Sequence, residues 1–436
     1  MTNKIEPYIA VYKDKSVLHT EDGKTEVFLE GGLSDLAKKR YKSITKSLED
    51  GFLEKIIIES IKPDVKINGL SEEHLSKMMS LVNSVTSEVG RAIIGLTVMQ
   101  LTLKSINNEQ NIRLHKGSSN SNSFSWKEGL SMRVLDKTFI TPTLRKYGLL
   151  KLNSDGFMMT RTLAENYPYT KLYKAKIRGA KKEWMEITDW IESGELNPLN
   201  ALKQFIALLN NKTEEFNQMS DETLVLLNKF IEKKQSYEKR VNLIFNYVKQ
   251  STYSARLFEV IMHALYQALD ELNALEGYLK PLSQMRSANK KHGNIGDIEI
   301  TRDNQYRAII EGWDAKYGKT YLRDELEELN DKLFKHPEAE VVGFVTDQNP
   351  DLKLEIIKRK EEISDIHGVD VKIFSITDWV DFQLSLRELD KDELANRWLT
   401  AIAESICQKR RGFAPIDEPT LEWVKELKSV LKQEVG

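Results

Sequence analysis

"AIIEGWDAKYGKTYLRDELEEL", residues 308–329, opens as an apolar strand and closes as a charged helix. Asp314 and Lys316 stand two residues apart, just behind Ile309, Ile310 and Trp313. Side chains of a strand alternate between faces, so a carboxylate and an ammonium at this spacing project to one side. One reading is an exposed ion pair, worth under ~1 kcal/mol. The other is a site that grips a divalent cation and a phosphate. The flanking sequence decides between them.

Upstream, "GDIEITR" (296–302) has strand composition and begins Gly296-Asp297. If it pairs as a hairpin with a strand over 306–316, Asp297 and Asp314 converge. Two carboxylates at close quarters repel, and each raises the other's proton affinity unless a cation sits between them. Hard oxygen ligands suit Mg²⁺, which accepts one or two carboxylates and keeps several waters. Lys316 beside them would orient or activate a metal-bound water and stabilise charge on a phosphate. The chemistry implied is phosphodiester hydrolysis. Glu299 shares parity with Asp297 and competes for the same face. Glu311 has opposite parity to Asp314 and should point away unless a bulge intervenes.

Beyond residue 316 the rhythm alternates. A helix is expected over 320–335, a strand over 339–346, a helix over 351–366, a strand over 369–376 and a helix over 377–389. Four short strands with helices between and around them make an α/β domain on a small mixed sheet. Residues 395–433 read as two further helices, separated by the basic cluster Lys409–Arg411.

The string "SANKKHGNIGDIEI … AIIEGWDAKYGK", preceded by the helix "SARLFEV", resembles type II restriction endonucleases of the PD-(D/E)xK nuclease superfamily. The resemblance spans roughly residues 250–390. It implies a core of four mixed strands flanked by helices, with Mg²⁺ held by Asp297 and Asp314, and Lys316 as the catalytic ammonium. A glutamate on the preceding helix often completes such a site, and Glu259 is the residue that matches. Two departures stand out: glycine replaces the proline before the first carboxylate, and the second carboxylate is Asp rather than the commoner Glu. The resemblance further implies double-stranded DNA as substrate, a homodimer, and a cognate DNA methyltransferase as functional rather than physical partner. Lys290 and Lys291, just upstream of the first carboxylate, become candidate DNA contacts.

The rest of the chain fits a DNA-directed protein. Its 436 residues imply two or three domains, and 40% hydrophobic with 30% charged residues describes a globular chain. Net charge is only −2, but residues 101–182 carry 16 Lys/Arg against 5 Asp/Glu. Such asymmetry points to a polyanionic partner or to a solvated basic face. The single cysteine, Cys407, precludes an intrachain disulfide and a cysteine-based zinc site. The polar start "MTNKIEPYIAVYKDK" lacks a signal-peptide run, and "AIIGLTVMQLTL" (92–103) is too short to span a bilayer. A cytoplasmic protein is expected. Among seven histidines no HExxH occurs, so His292 is read as a phosphate or solvent contact; no Gly-x-x-x-x-Gly-Lys-Ser/Thr loop appears either.

Within the basic region, "SMRVLDKTF" and "TPTLRKYG" read as successive helices, the second with Thr141 as N-cap, Pro142 at its first position and Gly148 past its end. Asp155-Gly156 then signals a hairpin. Helix, helix, hairpin is the order of a winged helix, here over 126–165. It nominates Arg133, Arg145 and Lys146 on the helices, Arg161 on the wing, and Lys116 and Lys127 flanking the Ser/Asn-rich loop, as DNA contacts. The expected organisation is a DNA-recognition region over 1–182, a helical scaffold over 183–250 and a catalytic domain over 251–436. Residues 1–75 are weakly patterned, with strand-like "YIAVY" and "EVFLE", and helix is expected from Ser71, a plausible N-cap, to about 106. The favoured function is a Mg²⁺-dependent site-specific endonuclease. A non-catalytic winged-helix regulator, or a repair or recombination nuclease, is the alternative.

Overall fold

Ser34, Ser71, Ser236, Ser375 and Asp390 each start a helix by turning a side-chain oxygen onto an N–H of the first turn. That local chemistry sets much of the chain's punctuation. The computed structural model describes residues 6–21, 23–62, 67–84, 88–118, 120, 123–150, 156–159, 161–177, 180–282, 293–410 and 419–435, with backbone only for 88–90, 159 and 161. The chain divides into two compact units, 1–215 and 216–436. The stretch 183–250, expected as a separate scaffold, contributes to both.

The first unit opens with an antiparallel sheet of β1 (Tyr8–Val11), β2 (Lys15–His19) and β3 (Thr25–Leu29). Helices α1 (Asp35–Glu49), α2 (Phe52–Ser60), α3 (Glu72–Asn83) and α4 (Glu88–Ile106) follow. Ser71 caps α3 as its sequence implies, but the reciprocal partner is His74, whose ring accepts the Ser71 N–H. The apolar run 92–103 lies in α4, at the centre of this unit's core. Thr97 and Thr102 stay buried there by donating to carbonyls one turn back. Among the described residues, no helix is long and apolar enough to cross a membrane.

The winged-helix expectation over 126–165 is corrected. The two expected helices run together as α5 (Met132–Leu135), a π-helical turn (Asp136–Ile140) and α6 (Thr141–Lys146). Pro142 does begin a helix, and Gly148 leaves it with φ +65°. No turn intervenes, because buried Asp136 ties the junction by accepting the Thr141 hydroxyl at 2.6 Å. The same carboxylate accepts the Met158 N–H at 2.9 Å, against Gly156 at φ +88°, where an added Cβ would meet it at 2.3 Å. An N–H committed to a side chain is lost to a strand ladder, and 157–159 and 161–163 form 3₁₀ turns instead of a wing strand. Residues 151–155, the other half of the expected hairpin, lie outside the described residues. Helices α7 (Lys181–Ser193) and α8 (Pro198–Glu232) follow, the latter containing the boundary between units.

In the second unit come α9 (Tyr237–Gln250), α10 (Ser254–Glu271), β4 (Tyr278–Leu279), β5 (Ile298–Thr301), β6 (Ile309–Lys316), α11 (Arg323–Leu333), β7 (Val341–Thr346), α12 (Leu354–His367), β8 (Asp370–Ser375), α13 (Ile376–Ser385), α14 (Lys391–Ile406) and α15 (Thr420–Val435). The strands form one sheet in the order β4-β5-β6-β7-β8, antiparallel up to β6 and parallel beyond it. The mixed sheet expected from the sequence is present, with five strands rather than four. The addition, β4, is two residues long and carries no periodic signal. One face, with Ile298, Ile300, Trp313 and Val345, packs against α10 and α13, and α14 packs on α10. The other, with Val342, Phe344, Val371 and Ile373, packs against α11 and α12. Gly343 permits the tight β7–β8 approach, since a Cβ there would sit 2.1 Å from the Lys372 carbonyl oxygen.

Candidate functional site

Register brings the two aspartates together. Ile298 pairs with Trp313 and Glu299 with Gly312, so one further step sets Asp297 opposite Asp314. The Asp297 N–H donates to the Trp313 carbonyl at 2.9 Å, and its Oδ2 accepts the Ala315 N–H at 3.0 Å. Gly296 allows this closeness: a Cβ there would lie 2.5 Å from the Trp313 oxygen. Glycine, where the resembling enzymes carry proline, is therefore a steric requirement of this backbone.

Asp314 is buried, at 7% exposure, and its Oδ2 pairs with Lys316 Nζ at 2.9 Å. Spacing of two therefore does place both groups on one face. Burial pushes the Asp297 carboxyl well above its usual range, and the Asp314 charge, the Glu259 charge and a hydrogen bond shared with Asp314 add to this, against the Ala315 N–H. For Lys316, burial works to lower the pKa but is outweighed by Asp314, Asp297 and Glu325, so its ammonium is held more tightly than usual. The ammonium also lies 6.0 Å from the Phe344 ring centre. The result is a buried carboxylate pair, in which Asp297 holds its proton more tightly than an ordinary aspartate, flanked by the Lys316 cation. Two carboxylates at this spacing are a donor set that a hard divalent ion satisfies.

Glu259 sits on α10, is ion-paired with Arg256, and acts on Asp297 through its charge. Among the described residues, no three acidic, histidine or cysteine side chains are grouped closely enough to hold an ion by themselves. Asp297 and Asp314 could hold Mg²⁺, with Glu259, whose charge reaches Asp297, as the third candidate and water filling the remaining positions. Glu311 points to the opposite face, where it accepts from Trp313 Nε1 at 2.6 Å and from the Tyr266 hydroxyl. The bulge in this hairpin falls at Ile300/Thr301, beyond reach of that parity.

Glu299 corrects a sequence expectation. It shares Asp297's parity, but its carboxylate turns back beneath the preceding turn, accepting the Ile295 N–H at 2.6 Å and the Gly296 N–H at 3.3 Å. Lys280 Nζ reaches it at 2.7 Å and also donates to Asn294 Oδ1 at 3.1 Å. Neither Lys280 nor Asn294 carried a sequence signal; they lie in stretches without periodicity.

The basic candidates are spread over the first unit. Arg133, Lys127 and Arg145 are exposed. Lys146 is exposed but paired with Glu54 at 2.5 Å. Lys116 donates to Asn166 Oδ1 at 2.5 Å and lies 5.8 Å from the Phe124 ring centre. The Arg161 side chain, Lys290, Lys291 and His292 lie outside the described residues. In the second unit Lys409 pairs with Asp221 at 3.1 Å, and Arg410 with Glu404 and Glu271.

Comparison with protein-family models and with curated proteins returns no match.

Proposed function

We propose that the second unit is a Mg²⁺-dependent nuclease that hydrolyses phosphodiester bonds of double-stranded DNA at specific sites, in the manner of a type II restriction endonuclease. The observation that carries this reading is the buried Asp297–Asp314 pair with Lys316 on the same face, at the end of paired strands. A structural ion pair needs one carboxylate; a second, buried beside the first, costs stability unless it serves chemistry. The position is also apt, since β6 and β7 run parallel and Lys316 stands at the carboxyl end of β6.

A divalent ion would be held by Asp297 and Asp314 and would supply Lewis-acid polarisation of the phosphate and a more acidic attacking water. Lys316 Nζ, on the same face, would donate to a non-bridging phosphate oxygen and stabilise the charge that builds during in-line attack. Glu259 on α10, ion-paired with Arg256 and acting on Asp297 through its charge, would be the third ligand. Cutting both strands of a symmetric site calls for two such centres, hence a homodimer, with a cognate methyltransferase protecting host DNA. DNA contact is assigned to the exposed cations of residues 101–182. The regulator alternative loses its support, because the helix-turn-helix that carried it is absent from the described residues.

The test is incubation of the protein with supercoiled plasmid, with Mg²⁺ or with EDTA. Discrete, Mg²⁺-dependent fragments are expected. Intact plasmid under both conditions, across several DNAs of different sequence, would overturn the reading.

A further inference from the structure

Asp297 follows a turn that is held on every side. Within it, the Ile295 and Gly296 N–H groups both point at one Glu299 oxygen. The Ile295 carbonyl accepts from Lys332 Nζ on α11 at 3.2 Å. The Ile295 side chain is buried against Gly312 of β6. Beneath, Lys280 binds the other Glu299 oxygen and Asn294, and its backbone N–H extends the β4–β5 pairing by donating to the Glu299 carbonyl at 2.9 Å. Its own carbonyl is anchored in turn by the His263 ring at 3.0 Å.

Glu299 is 2% exposed. A carboxylate at that depth is retained only where its charge is matched, and here one ammonium and two backbone donors match it. Its donors are the peptide groups just before Asp297, and Gly296 is the residue pressed against Trp313. The carboxylate therefore controls how far the turn sinks toward β6, and with it where the Asp297 oxygens stand relative to Asp314.

We propose that Glu299, clamped by Lys280, is a positioning residue that sets the 294–296 turn so that Asp297 and Asp314 are spaced to share one divalent ion. The proposal rests on the nuclease reading above. Groups that orient metal ligands from behind typically change affinity or activity by about 10–100-fold when removed.

The test is a Mg²⁺ titration of cleavage for Glu299→Gln and Lys280→Met, with Mn²⁺ binding to the uncut protein followed by electron paramagnetic resonance. Each variant should raise the Mg²⁺ concentration for half-maximal cleavage about tenfold or more, and weaken Mn²⁺ binding in parallel. The rate at saturating Mg²⁺ should stay within about threefold of wild type, because the reacting groups are intact. Lys280→Arg, which keeps the charge, should restore most of the metal affinity and covers the case in which Glu299→Gln fails to fold. Wild-type Mg²⁺ half-saturation and Mn²⁺ binding in the Glu299 and Lys280→Met variants, with or without a loss of thermal stability, would make the pair a plain structural bridge and overturn the proposal alone. A wild-type protein that neither cleaves DNA nor binds Mn²⁺ would overturn the nuclease reading and this proposal with it.

Discussion

Asp297 straddles Asp314: its backbone N–H donates to the residue before Asp314 in sequence, Trp313, and its carboxylate accepts from the residue after, Ala315. The pairing of β5 with β6 thereby sets the backbone of both aspartates and holds the Asp297 carboxylate, while Lys316 holds that of Asp314. Preorganisation of this kind is what a metal site requires, because no ligand has to be found after folding.

The close approach at Gly296 makes a first prediction. Gly296→Ala places a methyl 2.5 Å from the Trp313 oxygen, so the strands must separate. Destabilisation of about 1–3 kcal/mol is expected, as for other overpacked sites, measured by urea unfolding. Unchanged stability would show that the turn yields without cost.

Metal should stabilise the second unit. A ligand that binds only the folded state adds about 2.7 kcal/mol at a concentration 100-fold above its Kd. Calorimetric scans with Mg²⁺ should therefore show an upward shift of the unfolding midpoint, lost in Asp297→Asn. An equal shift in wild type and variant would place the ion elsewhere.

His263 gives a pH prediction. Burial lowers its pKa to about 4, against a hydrogen bond to the Lys280 carbonyl that raises it and with the Arg256 charge that lowers it further. With Nε2 on that carbonyl and Nδ1 at 3.0 Å from Gln267 Nε2, the neutral ring has both nitrogens satisfied. An unfolded histidine titrates near 6.5, so between that value and about 4 the unfolded chain binds the extra proton. This contribution is complete above pH 6.5 and lost as the pH falls toward 4, on the order of 3 kcal/mol in all. His263→Gln should flatten the stability profile over that window; an unaltered slope would refute the assignment.

The basic first unit predicts salt-sensitive binding. Each neutralised phosphate contributes about −0.9 to the slope of log affinity against log salt. Charge reversal at Arg133 and Arg145, both exposed, should make the slope shallower by up to about two contacts. Reversal at Lys146 should do less, because Glu54 already engages it. Identical slopes for wild type and variant would mean these cations are scaffold.

The second unit was the more legible in the sequence because its signals are local. Alternation marked β5 to β8 within a few residues of their ends, and parity alone placed Lys316 beside Asp314 and turned Glu311 away. The first unit was misread where one long-range group decides the backbone. Asp136 takes the Met158 N–H across 22 residues, and nothing in "SMRVLDKTF" foretells that a buried carboxylate will fuse two helices and turn the expected second wing strand into 3₁₀ turns. β2 escaped for a related reason: "KSVLH" is short and mixed, and takes strand form through its pairing with β1 and β3. Glu299 shows the limit of parity, which gave the face but not the backward turn onto Ile295 and Gly296.

The central claim is that Asp314 and Lys316 act in phosphodiester cleavage, and the most direct measurement separates cutting from holding. Asp314→Ala and Lys316→Ala are compared with wild type for plasmid cleavage in Mg²⁺ and for DNA binding in Ca²⁺. Each variant should lose on the order of 10²-fold or more in cleavage rate, the cost of removing a metal ligand or a charge stabiliser, while binding in Ca²⁺ stays close to wild type. Retention of more than about a tenth of the wild-type rate by either variant would contradict the account, since it demands a loss at least tenfold larger.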